Sequence, residues 1–282
     1  MPTFDTPGPI DLAIDLQVGG IEIIAGDRTE TVVTVSATNP AKTTDARAAQ
    51  ETRVDFDGHR VTVTGPRPRI SVLGPSESVD VVVELPTGSR LTAEIALGGL
   101  RTVGRLGATR IRNSTGSVSL DTVGDLWLRT SHGNATIGHA EGGIEVKAGH
   151  GQLRVGSVTG DAILEASHGS VTVGESGGDL EAKLSYGDLE IEHALGSVAA
   201  RTAYGSISLR DVSSGSVGVD SGFGEVTVGV RSGVPAWLDL SSKLGRVRNE
   251  LDGDTVPDPS ERTVAVRART QGGDITILRA LA

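Results

Sequence analysis

The stretch ASHGSVTVG, residues 166–174, places a histidine before a glycine and then alternates apolar and polar residues. The same form recurs as TSHGNATIG at 130–138, AGHGQLRVG at 148–156, LSYGDLEIE at 184–192 and TAYGSISLR at 202–210. Aligned on the glycine after the ring, Gly133, Gly151, Gly169, Gly187 and Gly205 are 18 residues apart, with Gly116 17 before and Gly224 19 after. A second series, Gly124, Gly142, Gly160, Gly178 and Gly196, keeps the same step nine residues out of phase, and Gly215 follows one residue late. A fixed period of this kind marks a solenoid. Nine residues hold a strand of about five plus a corner, so each period is one coil of two strands.

Alternation sets the inside. Two and four residues after the first-series glycines stand Val118/Leu120, Ala135/Ile137, Leu153/Val155, Val171/Val173, Leu189/Ile191, Ile207/Leu209 and Val226/Val228. After the second series stand Leu126/Leu128, Ile144/Val146, Ala162/Leu164, Leu180/Ala182, Val198/Ala200 and Val217/Val219. Intervening residues such as Thr136, Arg154, Thr172 and Glu190 are polar, which is period-2 patterning with one buried face. The pattern predicts an all-β fold: a parallel β-solenoid of 18-residue, two-strand coils in which each strand pairs with its equivalent one coil away. Glycine suits the corners because it tolerates positive φ. The spacing lacks the Gly-Gly-x-Gly-x-Asp calcium nonapeptide.

Composition fits a narrow interior. Aromatics are 2% of the 282 residues, whereas glycine, with 39, is at roughly twice its usual share. Cysteine is absent, so neither disulfides nor thiolates contribute. A formal charge of −10 argues against nucleic acid as a partner. No apolar run approaches the roughly 18 residues that span a membrane, so no membrane insertion is expected. MPTFDTPGPI at 1–10 shows no basic segment followed by an apolar one, and the expectation is a chain without a secretion signal, located in the cytoplasm.

Outside the repeats, strand-like runs fill residues 10–86, among them IDLAIDLQV, GIEIIAG, ETVVTVSA, RVTVTG and SVDVVVELP. The polar NPAKTTDARAAQET at 39–52 predicts a loop with a helical turn, and LPTGSRL at 85–91 leads into the stack. KLGRVRN at 243–249 and QGGDITIL at 271–278 repeat the motif, with the loop DGDTVPDPSER at 252–262 between them. The expected organisation is a β-rich N-terminal cap over 1–86, regular solenoid over 87–229, and irregular final coils with a C-terminal cap over 230–282. The two prolines of the 252–262 loop would block strand addition at an open end.

MPTFDTPGPI at 1–10 with DRTETVVTV at 27–35, SVDVVVELPTGSRL at 78–91, AWLDLSSKLGRVRNEL at 236–251 and VRARTQGGDITI at 266–277 carry a family resemblance. With these motifs the chain resembles, over almost its whole length, the bacterial "putative adhesin" β-strand-repeat family, a domain of unknown function with glycine-aspartate-aliphatic repeats. The resemblance implies a β-solenoid. The adhesin label derives from the repeats, and the expectation of a chain without an export signal departs from it.

Candidate chemistry centres on the position before the first-series glycine: Thr115, His132, His150, His168, Tyr186, Tyr204, Phe223 and then Leu244. Equivalent positions in a parallel stack lie about 4.8 Å apart, so His132, His150 and His168 are candidate metal ligands in a row. Tyr and Phe on the following rungs cannot serve as equivalent ligands and favour a stacked structural ladder without metal. His139 and His193 share another position about 14 Å apart and are expected to be solvated. Ser131-His132 and Ser167-His168 lack the orienting group and oxyanion hole of a triad. Asp161 and Asp179, one coil apart, are the nearest approach to a carboxylate pair, yet both begin strands, where Asp is a common corner residue. SGFGEV at 221–226 is a corner, not a dinucleotide loop.

The outward row Arg129, Lys147, Glu165, Lys183, Arg201 and Asp220 predicts a mixed, soluble surface, with Glu145 and Glu181 reaching basic neighbours diagonally. Ser119, Thr136, Arg154, Thr172, Glu190 and Ser208 on the other face do not form the uniform threonine rows of an ice-binding surface. The alternative of a carbohydrate-active or other β-helix enzyme needs inserted loops to wall a cleft, and the 18-residue intervals leave none. The expectation is therefore a non-catalytic scaffold or interaction module without cofactor, its partner a protein or further copies of itself. The ends, where the pattern loosens, are the expected sites of specificity.

Overall fold

A computed structural model describes residues 1–66, 77–251 and 263–280. These hold 27 strands and one helix, arranged in two compact units, Met1–Glu141 and Gly142–Ala282. The strand DLAIDLQV, Asp11–Val18, and those built on the repeats all follow from alternating aliphatic residues, and each unit is two sheets with the aliphatic side chains between them. The parallel β-solenoid expected from the spacing is the fold.

In the second unit the strands Leu153–Val158, Val171–Ser176, Leu189–Ala194, Ile207–Val212 and Val226–Val230 neighbour one another in that order in one sheet. Ile144–His150, Ala162–His168, Leu180–Tyr186, Val198–Tyr204 and Gly215–Phe223 do so in the other. All these pairs are parallel and in register one period apart, save for a register shift after Leu209 against Val226–Val230: Val171 lies beside Leu189 and Leu189 beside Ile207. Every inward residue of both series is buried. Thr172 and Glu190 point outward as expected but are half-buried, because neighbouring coils shade each side chain on a flat sheet.

The two glycine series do different work, which the spacing did not reveal. Gly169, in the first series, has φ +128°, and a Cβ there would lie 1.9 Å from the Gly151 carbonyl oxygen. Gly178, in the second, has an ordinary φ; its Cβ would lie 2.7 Å from the Gly160 carbonyl carbon. The first corner needs a left-handed backbone as well as bare space. The second needs the space, and only Gly215, at φ +85°, adds a left-handed backbone.

At the C-terminal end, order along the chain is not order in space. Gly215–Phe223 pairs with Val264–Gly272, and Val264–Gly272 pairs in turn with Ala236–Ser242. The other sheet repeats the exchange, with Ile275–Arg279 between Val226–Val230 and Val247–Asn249. The coil 264–279 therefore inserts between two coils that precede it. Leu244 is thus not the rung after Phe223; Gly272 is. The expected 252–262 loop lies outside the described residues.

The first unit is rearranged in a similar way. Asp11–Val18 pairs in parallel with Arg90–Leu97 on one side and Arg60–Thr64 on the other. The end is finished by antiparallel strands: Arg53–Phe56 on Arg60–Thr64, Glu30–Ala37 on Val79–Pro86, and Thr3–Asp5 on Glu30–Ala37. Where a loop with a helical turn was expected, Thr43–Glu51 is a nine-residue helix. Alanine, arginine and glutamine favour it locally. Its buried Asp45 also anchors it, accepting hydrogen bonds from the backbone N–H groups of Asn39 and Ser78.

Candidate interaction surface

The ladder of rings stands on the corner that ends each strand of one sheet. In the second unit His150 and His168 stack with centroids 4.5 Å apart and planes 11° apart. His168–Tyr186 follows at 5.0 Å, Tyr186–Tyr204 at 5.0 Å and Tyr204–Phe223 at 5.3 Å, all within 11° of parallel. The rings face solvent, with Tyr186, Tyr204 and Phe223 each about half exposed. Their faces are spent on one another, so only ring edges meet the solvent. Near-parallel imidazoles send their in-plane lone pairs along parallel lines, which do not converge on one ion. His132 lies in the first unit, exposed beside Thr115. Among the described residues no group of three or more His, Asp or Glu side chains is placed to hold a metal ion.

His193 is exposed, as expected, and it also has a partner. Its Nδ1 lies 3.3 Å from Asp211 Oδ2, and Arg231 pairs with the same carboxylate. Burial pushes the Asp211 carboxyl up, but hydrogen bonds from Arg231 and His193 outweigh it and hold the group below its usual range. Asp161 and Asp179 serve the corners: Asp161 Oδ1 accepts from the Asp179 N–H at 2.9 Å, and Asp179 Oδ1 from the Ser197 N–H at 2.9 Å. Each ties its coil to the next.

The outward charges pair, though not diagonally as expected. Lys147 meets Glu165 directly across the coils at 3.2 Å, Arg201 meets Asp220 at 3.4 Å, and Glu181 meets Lys183 along its own strand at 2.6 Å. The Lys183 hydrogen bond holds Glu181 below the usual carboxylate range.

Two features escaped the sequence reading. Six residues after each second-series glycine runs a third inward row, including Thr130, Ala148, Ala166, Leu184, Thr202 and Ser221, all buried. Three of its hydroxyls cap corner carbonyls, Thr202 on Gly187 O at 3.4 Å, Ser221 on Gly205 O at 3.1 Å and Thr270 on Gly224 O at 3.2 Å, whereas Thr130 Oγ1 is buried without a partner among the described residues. A small or hydroxyl residue at that offset was the available signal. The second feature is on the first unit, where Trp127 sits half-buried on the outward face with the Arg110 guanidinium 3.8 Å over its ring.

Two sheets of parallel coils, in register without inserted segments from Ile144 to Val212, define a β-solenoid repeat protein. Residues 11–278 match the model of the Toastrack DUF4097 family, and the chain belongs to that family. Its fold is similar to the crystal structure of a "putative adhesin" from Parabacteroides merdae, with 9% identity, 99% of this chain and 95% of that one covered, and a TM-score of 0.39. It is also similar to that of a "putative cell adhesion protein" from Clostridium sporogenes, with 11% identity, 99% and 98% covered, and a TM-score of 0.25. No curated protein matches the chain. No helix among the described residues is long and apolar enough to cross a membrane.

Proposed function

We propose that this chain is a non-catalytic interaction module that presents its sheet faces to a protein partner or to further copies of itself. The observation that carries this reading is the exact repeat of register from Ile144 to Val212, where successive coils pair residue for residue with no inserted segment. A wall for a substrate cleft must come from chain that leaves the coil, and none leaves it there. The carboxylates nearest to a catalytic pair are occupied by backbone N–H groups. What remains is a rigid, flat area of mixed polarity, suited to contact over many residues. The test is retention of a specific partner, or a concentration-dependent rise in mass by light scattering, without turnover in a broad hydrolase and lyase screen. Turnover of a polysaccharide or ester, lost on changing one residue, overturns the reading.

A further inference from the structure

On the outward face of the first unit two like charges stand opposite each other. Arg112 and Arg129 are direct partners on neighbouring strands, and Arg110 lies beside Trp127 in the same pair of strands. Like charges placed opposite each other destabilise a sheet. Lys183 and Arg201 also face each other, but each holds a carboxylate, Glu181 and Asp220. Among the described residues Arg110, Arg112 and Arg129 have no carboxylate within ion-pair distance. Glu94 is the other strand neighbour of Arg112, yet the Arg112 guanidinium leans the opposite way, 5.4 Å from the Trp127 ring centre. Arg110 lies over the same ring, its guanidinium carbon 3.8 Å from the centre.

Three exposed guanidinium groups are thus left with free hydrogen-bond donors in a protein of net charge −10. Beside them a groove of about 300 Å³ crosses four neighbouring strands at the level of Arg112 and Arg129, lined by Gln17, Glu94, Arg112, Ser114, Arg129 and Ser131. The Ser114 and Ser131 side chains are exposed one outward position beyond the arginine pair.

We propose that Arg110, Arg112 and Arg129 form a docking site for an extended acidic peptide whose carboxylates recur at alternate residues. Spacing selects the occupant. Arg110 and Arg112 are two residues apart on one strand, about 6.8 Å, which is also the repeat of same-side residues in an extended peptide lying along that strand. Guanidinium forks favour carboxylates because they bind them bidentately. Stacking on Trp127 restrains Arg110 and Arg112 before binding, so less side-chain freedom is lost on docking. The unpaired arginines carry repulsion in the free protein that a bound carboxylate removes. Glu94, and Asp15 one strand beyond it, set the negative limit of the site. This proposal rests on the interaction-module reading and names its partner's chemistry.

The experiment uses the full chain and three labelled decapeptides in fluorescence anisotropy: alternating Glu-Ser, alternating Gln-Ser, and a Glu-Ser-Ser repeat, whose same-side carboxylates are six residues apart when extended. Alternating Glu-Ser should bind, weaken as salt rises, and exceed both others by about tenfold, the effect of one well-placed ion pair. Arg112→Ala and Arg129→Ala should each cost about tenfold. Glu94→Gln should tighten binding by about threefold. Arg129→Glu should abolish binding while leaving the melting temperature unchanged or higher, which separates docking from any structural role. Equal binding of the Glu-Ser-Ser peptide, or tighter binding of polygalacturonate than of Glu-Ser, overturns the proposal. So does unchanged binding by the arginine variants. If Arg112→Ala/Arg129→Ala still retains a native partner or self-associates, this site fails while the interaction-module reading stands.

Discussion

The coils between Ile144 and Val212 and those beyond Ala236 are built from the same motif, yet they obey it differently. In the former, each strand takes as neighbours the strands one period before and after it. In the latter, the coil 264–279 displaces 236–249 from the place its sequence position suggests. Burial follows. Val171, Val173, Leu189 and Ile191 are at most 1% exposed, whereas Leu238 and Leu240, inward by alternation, are only half-buried, and Trp237 is 63% exposed. A repeat dictates which side of a strand faces the core and its register against an identical neighbour. It does not dictate which of several similar coils becomes that neighbour. That choice is made by long-range pairing.

The largest expected contrast is in the core. Val173→Asp should cost at least about 4 kcal/mol, because a charge enters an apolar stack, and should abolish cooperative unfolding of the regular coils. Leu238→Asp, at the less buried coil, should cost less than half as much in the same denaturant titration. Equal losses would show that the end coil is as tightly packed as the middle. Next come the corners. Gly169→Ala introduces a Cβ against the Gly151 carbonyl at φ +128° and should cost about 3 kcal/mol. Gly233→Ala, at φ +78° with nothing within 4 Å, should cost about 1 kcal/mol.

Smaller effects attach to surface pairs. Asp211→Asn should cost about 1 kcal/mol near neutral pH by removing the carboxylate shared by Arg231 and His193. Because the folded-state pKa of Asp211 lies below its unfolded value, its stabilisation is present above the unfolded pKa and fades as pH falls through the folded one. The melting temperature of the unaltered protein should therefore drop more steeply below about pH 4 than that of Asp211→Asn. The smallest expected effect is at the ladder. Zinc calorimetry on untagged protein should give no micromolar binding, and His150→Ala should leave the trace unchanged. Micromolar binding that His150→Ala abolishes would make the ladder a metal site.

Much of the fold was legible because its cause is local. Val171 and Val173 alternate with polar residues, and the rings before Gly169 and Gly187 share a rung by periodicity alone. The order of the end coils was not legible, since Ala236–Ser242 and Val264–Gly272 carry the same alternation and either could follow Gly215–Phe223. The ring row was read correctly as a ladder, but its outward direction needed the backbone. The arginine patch was hidden for another reason: Arg129 belongs to a row that, taken as a whole, mixes signs. Only the contacts of Arg110 and Arg112 with Trp127 show which charges lack a partner.

A cysteine-free chain allows the exchange of the last two coils to be tested directly. Asp220 is the register partner of Arg269, and Arg269 that of Ser241, with all three side chains on the outward face. Neighbouring strands lie about 4.8 Å apart, within disulfide reach, whereas strands two apart lie at about 9.6 Å, beyond it. The measurement is disulfide yield under mild oxidation for two double variants. Asp220→Cys with Arg269→Cys should cross-link nearly completely, and Asp220→Cys with Ser241→Cys should remain reduced. Closure of the second pair but not the first would place the coils in chain order and contradict this account.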